Sequence, residues 1–238
     1  PTTPATRSRL ATLSEAQSTL IGRREEVDQM EAALDRLQGG QGSILVLEGE
    51  AGIGKSRLVG ELAGMVQNRG LTGLLGAGQS IEQQTPYRAW RDVFTSYFAL
   101  QEGTPPADRR QRVEILVKQL APDQMERMPL LNDVLSLAFP ESDLTATLDP
   151  TLRQQSLFLL LDGLLQAWAR ALSLVLVIED AHWLDSVSWE LLVQVARSLA
   201  ISGDPLFLVV VTRPIEAHTT AARHLATIQD LEITTSLS

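Results

Sequence analysis

The chain has 238 residues, 44% of them apolar and 5% aromatic, enough to bury the core of one large domain or of a domain with a small satellite. Twenty basic against 29 acidic residues leave a net charge of −9, which argues against a broad nucleic-acid or anionic-membrane footprint, since either needs clustered positive charge. There is no cysteine, so a disulfide framework and a thiolate metal site are excluded, and a reducing, cytoplasmic compartment is the expected setting.

The first segment, Pro1 to Arg7, lacks the apolar stretch of a signal peptide, and no apolar run approaches the ~20 residues of a membrane span. Residues 1–19 read as a flexible linker, and a single domain is expected over 20–238. From Arg24 to Gln38, apolar residues at Val27, Met30, Ala33, Leu34 and Leu37 give one buried helix face, ended by Gly39 and Gly40. The run Ile44 to Leu47 predicts a buried strand. A glycine-rich loop follows it directly. Leu58, Leu62, Met65 and Val66 then repeat at helical spacing until Gly70.

A second strand is predicted near Leu71 to Ala77, and after it the pattern is helical, with an insertion over about 86–172. Tyr87, Trp90, Val93, Phe94 and Tyr97 share one helix face, and Val113, Leu116, Val117 and Leu120 share another. These helices either cover the sheet or form a side subdomain. Asp149 before Pro150 has the form of an N-cap followed by a first-turn proline. Leu174 to Ile178 and Leu206 to Val211 are further buried strands, with an amphipathic helix from about Ser186 to Leu199 between them. Strands alternating with helices predict an α/β fold with a parallel sheet.

The loop Gly49-Glu50-Ala51-Gly52-Ile53-Gly54-Lys55-Ser56 fits the phosphate-binding pattern of two glycines, a lysine and a hydroxyl. Chance would produce that pattern in roughly one chain of this length in a hundred, and the strand before it and helix after it lower the odds further. Its glycines let backbone N–H groups converge on phosphate oxygens, and the helix adds its positive end. Lys55 offers a mobile charge for the β and γ phosphates, and the Ser56 hydroxyl is a candidate Mg²⁺ ligand. The candidate phosphate contacts are Gly49, Ala51, Gly52, Ile53, Gly54, Lys55, Ser56 and Arg57.

Such a loop needs an acid at the end of a nearby strand, and Glu179 and Asp180 supply two after Leu174 to Ile178. Glu179 is placed nearer the metal and Asp180 nearer the attacking water, with the exchange of roles left open. Asp185, followed by Ser186, Val187 and Ser188, reads as an N-cap in preference to a catalytic group. Arg213, after Thr212 at the end of the last apolar strand, is either a solvated surface residue or a sensor of the γ-phosphate. The pair His182 and Trp183 reads as packing, and one histidine without neighbouring ligands does not make a zinc site.

Together, the segments Leu20 to Val27, Gly49 to Ser56, Thr85 to Tyr87, Val177 to Asp185 and Val211 to Pro214 resemble the AAA-like ATPases of the STAND class, the signal-transduction ATPases with numerous domains. The chain is similar in particular to ATPase modules fused to class III nucleotide cyclases and to those of large LuxR-type regulators. The resemblance implies a three-layer P-loop NTPase fold whose mostly parallel five-stranded sheet has the order 5-1-4-3-2, with the Arg213 strand between the other two functional strands. It implies that Ile21, Gly22 and Arg23 lie against the adenine and that Lys55, Glu179, Asp180 and Arg213 carry the chemistry on ATP, ADP and Mg²⁺. Arg24 departs from the family, which has Glu there, and leaves Glu26 as the matching acid. Lid and sensor domains that follow in the family are expected to lie outside this sequence, which reads as a core.

The function so implied is a switch that binds and slowly hydrolyses ATP inside a larger signalling protein, with other domains of that protein as partners and nucleotide-dependent self-association open. Direct nucleic-acid binding is not expected. Two rivals stand beside it: a nucleotide-holding scaffold without hydrolysis, and a small-molecule kinase, which the scattered arginines of 86–172 disfavour.

Overall fold

The computed structural model of the chain describes residues 23–82, 85–101 and 103–237. Five strands form one sheet: β1 (Ser43–Glu48), β2 (Thr72–Ala77), β3 (Leu174–Glu179), β4 (Leu206–Thr212) and β5 (Thr234–Leu237). Their order is β2-β3-β4-β1-β5, and every neighbouring pair is parallel. This is the expected order read from the opposite edge, and the sheet is wholly rather than mostly parallel.

Alternation along the strands sorts their side chains onto two faces. On one face Leu45, Leu47, Val175, Val177, Phe207 and Val209 pack against α1 (Arg24–Gln38) and α2 (Lys55–Asn68), through Met30, Leu34, Leu37, Leu58 and Leu62. On the other, Ile44, Val46, Leu174, Leu176, Ile178, Leu208 and Val210 enter a larger core. That core is closed by α3 (Arg88–Tyr97), α4 (Pro106–Leu120), α5 (Asn132–Leu135), α6 (Pro150–Leu172), α7 (Ser186–Ser202) and α8 (Thr220–Gln229). β1, β3 and β4 are therefore covered on both faces and read as continuous apolar runs.

The helices between β2 and β3 share this second core with the sheet, so they cover it. Two buried hydrogen bonds tie them down: Trp90 Nε1 donates to the Ser188 carbonyl at 3.2 Å, and the Tyr97 hydroxyl donates to the Leu164 carbonyl at 3.0 Å. α3 begins one residue later than its apolar spacing suggests. Tyr87 has φ 61°, in the left-handed region, and forms the cap before Arg88. Its ring still joins the core, edge-on to Phe158 at 6.3 Å.

β5 gives no apolar signal, since Thr234, Thr235 and Ser236 are polar and only Leu237 is not. It is an edge strand held by pairing to β1 alone, and such a strand needs little burial of its own. Both aspartate caps form as the sequence suggests. Asp149 accepts from the Leu152 N–H at 2.9 Å at the start of α6. Asp185 accepts from the Ser188 N–H at 2.9 Å and from its hydroxyl at 2.5 Å at the start of α7.

Ser188 is fully buried, so losing Asp185 would strand its N–H and its hydroxyl. Asp185→Ala is expected to cost about 1–2 kcal/mol, read as a lower urea midpoint with an unchanged slope, while Asp185→Asn keeps most of the stability. Equal midpoints for the alanine variant and the wild type would count against the capping role.

Candidate nucleotide-binding site

β1 delivers the chain to the carboxyl edge of the sheet at Glu48, where the loop 49–54 begins. The Gly49 N–H donates to the Thr212 carbonyl at 3.2 Å, carrying the β1–β4 ladder one residue beyond the strand. Gly52 and Gly54 have φ of 83° and 99°, left-handed values that an L side chain resists. Gly54 is the cap of α2, which has no side-chain cap and no acid in its first turn. The positive end of α2 is thus left to an anion, with Ser56 and Arg57 in that first turn. Ala51 lies in the loop itself and, like Ser56, is exposed. Lys55 folds back on its own loop, its Nζ donating to the Gly49 carbonyl at 2.5 Å and the Glu50 carbonyl at 2.8 Å.

Strand alternation places Glu179 on the α2 side of the sheet, in line with Val175 and Val177. Burial pushes its carboxyl from an ordinary 4.5 up to about 7, and the neighbouring Asp180 charge adds to the shift. Asp180 stands in a left-handed conformation (φ 48°, ψ 42°) and is exposed. The turn that follows is packed on Gly78: a Cβ there would lie 2.4 Å from the Asp180 carbonyl oxygen, and the Gly78 N–H donates to the Glu179 carbonyl at 2.9 Å. Gly78 carries no periodic signal in the sequence, although a glycine just past the end of β2 marks close backbone approach.

Lys55, Asp180 and Arg213 come together although they are far apart in the sequence. Partial burial holds the Lys55 ammonium below its ordinary range, and the Arg213 charge lowers it further, whereas Asp180 and Glu50 work in the opposite direction. Arg213 is exposed just beyond β4. His182 joins this group: burial holds its imidazole below its ordinary range against the pull of Asp180, and the charges of Arg213 and Lys55 reinforce the depression.

Of the three residues expected at the adenine, Ile21 and Gly22 lie outside the described residues. Arg23 is described, and its side chain does something the sequence did not signal. It donates to the Ile53 carbonyl at 3.0 Å and pairs with Glu26, so α1 is tied to the phosphate loop. That hydrogen bond holds the Glu26 carboxyl below the usual carboxylate range. Arg23, Glu26, Leu47, Glu48, Ile53, Lys55, Leu58 and Leu237 line a cleft beside the loop.

The sequence pattern of the AAA ATPase domain matches residues 19–210. The chain belongs to that family.

An uncharacterized protein of Rhizobium meliloti (strain 1021) is 30% identical to it over 198 residues, 82% of this chain and 18% of that protein. Adenylate cyclase type 10 of Rattus norvegicus is 25% identical over 194 residues, 80% of this chain and 12% of the cyclase. This AAA ATPase domain thus spans less than a fifth of the length of either relative. The Aeropyrum pernix ORC1 protein, solved in complex with DNA, covers 97% of the chain at 14% identity with a TM-score of 0.45, the chain spanning 49% of it.

The family implies use of nucleotide and Mg²⁺. The residues fit both: an uncapped helix start follows the glycine loop, and at the end of β3 stands a carboxyl raised by burial, which a cation would relieve. Among the described residues no group of three or more His, Asp or Glu side chains could hold a metal ion alone. Mg²⁺ does not need one, since it keeps waters and takes one or two carboxylates with substrate phosphates. No helix among the described residues is long and apolar enough to cross a membrane.

The Glu179 shift sets a sign for stability. Its folded value, about 7, lies above its ordinary 4.5, so its contribution is full below the lower value and is lost as pH rises through the upper one. In metal-free buffer, stability is expected to fall between pH 5 and 8 by on the order of 2–3 kcal/mol from this group. Glu179→Gln should be flatter across that range and more stable than wild type at pH 8. Chemical unfolding midpoints at the two pH values measure it, and parallel profiles for the two proteins would contradict it.

Proposed function

We propose that the site binds Mg²⁺ with ATP and hydrolyses it slowly, and that the bound nucleotide switches a larger regulatory protein of the STAND class. The observation that carries this reading is the convergence of Lys55, the acids Glu179 and Asp180, and Arg213 at the carboxyl ends of three adjacent parallel strands. The loop N–H groups and the start of α2 take the phosphates, with Gly49, Ala51, Gly52, Ile53 and Gly54 giving backbone and Lys55, Ser56 and Arg57 giving side chains. To do so Lys55 exchanges the carbonyls of Gly49 and Glu50 for phosphate oxygens.

Ser56 and Glu179 would hold Mg²⁺, which would supply positive charge against that developing on the phosphates. With a cation held there, the Glu179 carboxyl would stay ionised in spite of its burial. Asp180, exposed and acting on Lys55, orients the attacking water, and Arg213 answers to the presence of the γ-phosphate. Arg23 with Ile21 and Gly22 takes the base. The domain runs from about residue 20, residues 1–19 serve as its linker, and the helices over 86–172 are its insertion. Its partners are other domains of the parent protein, in the cytoplasm, without direct contact to nucleic acid or membrane.

Calorimetry of the chain with Mg²⁺ is expected to show ATP and ADP binding at micromolar concentration, and Lys55→Ala is expected to lose at least tenfold in affinity, roughly one charged hydrogen bond's worth. Equal binding by Lys55→Ala would sink the proposal. Turnover that falls in Glu179→Gln and Asp180→Asn separates a hydrolysing switch from a scaffold that only holds nucleotide.

A further inference from the structure

His182 stands two residues past the acids and is left without a task by the site chemistry. In the structure its imidazole bridges two elements. Nδ1 accepts from the backbone N–H of Arg213 at 3.4 Å, across the gap from the turn after β3 to the end of β4. An imidazole that accepts at Nδ1 is neutral and carries its proton on Nε2. That Nε2 is buried and has no hydrogen-bond partner among the described residues, a costly state for a donor. The ring is steadied from the side by Trp183, with centroids 4.8 Å apart. The turn carrying it is fixed by the bonds from the Trp183 N–H to the Asp180 carbonyl at 2.8 Å and from the Leu184 N–H to the Ala181 carbonyl at 2.9 Å.

The two things His182 connects are the two the nucleotide must address together. Asp180 opens its turn. Arg213 contributes the N–H it accepts. Among the described residues no other side-chain hydrogen bond joins the two strand ends: the β3–β4 register stops at Ile178 opposite Val210, and Thr212 spends its hydroxyl on the Arg213 carbonyl at 2.9 Å. We propose that His182 is a positioning residue that locks the backbone at Arg213 to the acidic turn, so that sensing of the γ-phosphate at β4 is coupled to the acids at β3. The inference rests on the nucleotide-switch reading above.

The test measures ATP and ADP affinities of the 238-residue chain by nucleotide fluorescence. The variants are His182→Phe, which keeps a ring against Trp183 but no acceptor, His182→Asn, whose amide oxygen can take the place of Nδ1, Arg213→Ala, and the double variant His182→Phe with Arg213→Ala. His182→Phe is expected to lower the ratio of ATP to ADP affinity roughly threefold to tenfold, the size of one hydrogen bond in a water-poor site. His182→Asn is expected to stay within about twofold of wild type on the same scale, and the double variant to be no worse than Arg213→Ala alone, as for residues acting through one another. Thermal melting accompanies each variant, and His182→Ala replaces the phenylalanine if the larger ring lowers the melting point.

An unmoved ratio in His182→Phe, a folded His182→Asn as impaired as His182→Phe, or full additivity with Arg213→Ala overturns the coupling role while leaving nucleotide binding intact. A wild-type chain that treats ATP and ADP alike overturns it as well. A wild-type chain that binds neither nucleotide overturns both this role and the reading beneath it.

Discussion

The site depends on how β1 lies against β4. Both strands are apolar on both faces, so a slip of one residue would bury much the same kind of side chain and the hydrophobic pattern alone does not choose the register. The ends choose it. At the start of β1, Gly42 donates to the Gly203 carbonyl at 3.3 Å, and a Cβ on Gly42 would lie 2.4 Å from the Asp204 carbonyl oxygen, so the backbones meet closely there. At the far end the Gly49 N–H finds the Thr212 carbonyl. With Glu48 thereby opposite Thr212, the phosphate loop and Arg213 leave the sheet side by side.

A parallel sheet then gathers the remaining groups, because all its strands end on the same edge. The result is a cluster of partly buried charges of both signs, in which burial shifts Lys55 and Glu179 first and neighbouring like charges add to it. Arg213 depresses the Lys55 ammonium, and Asp180 helps raise the Glu179 carboxyl. Lys55 partly relieves its own position by leaning on two loop carbonyls, and α2 leaves its first turn uncapped. Each is a local cost that a fold built for stability alone would remove, and such departures mark functional sites. In the proposed reading, a polyanion with a divalent cation would answer all of them at once: the phosphates would take Lys55, Arg213 and the helix start, and the cation would take the acid.

How much of this the sequence displays follows from which residues carry their own reason. Gly49, Gly54, Lys55 and Ser56 have a fixed spacing, and the apolar runs on either side locate the strand and the helix. Asp149 and Asp185 are legible because an aspartate three residues before a helical N–H has a local job. β5 is hidden because its stability is borrowed from β1, and the left-handed Tyr87 because its ring still keeps the helical face while its backbone does not. The Arg23 contact with the Ile53 carbonyl joins residues 30 apart, and no periodicity records a pairing of that kind. Gly78 falls between these cases, visible as a glycine but meaningful only once the acidic turn is laid upon it.

Gly78 also shows why the helices between β2 and β3 matter to the site. The acidic turn rests on Gly78, and two residues earlier Gly76 lets α3 approach so closely that a Cβ would stand 2.7 Å from the Ala89 carbonyl oxygen. α3 is in turn fixed to α7 through Trp90 and to α6 through Tyr97. The acids are thus connected through backbone contacts, without flexible side chains between, to the helical layer on the far side of the sheet. Close-packed interiors of this kind respond to a local change by shifting between packings in place of deforming smoothly. In the proposed switch, a displacement of the Asp180 turn would be passed to β2 and α3 together, and the mechanical consequence of events at the phosphates would fall on the face of the domain formed by α3, α6 and α7.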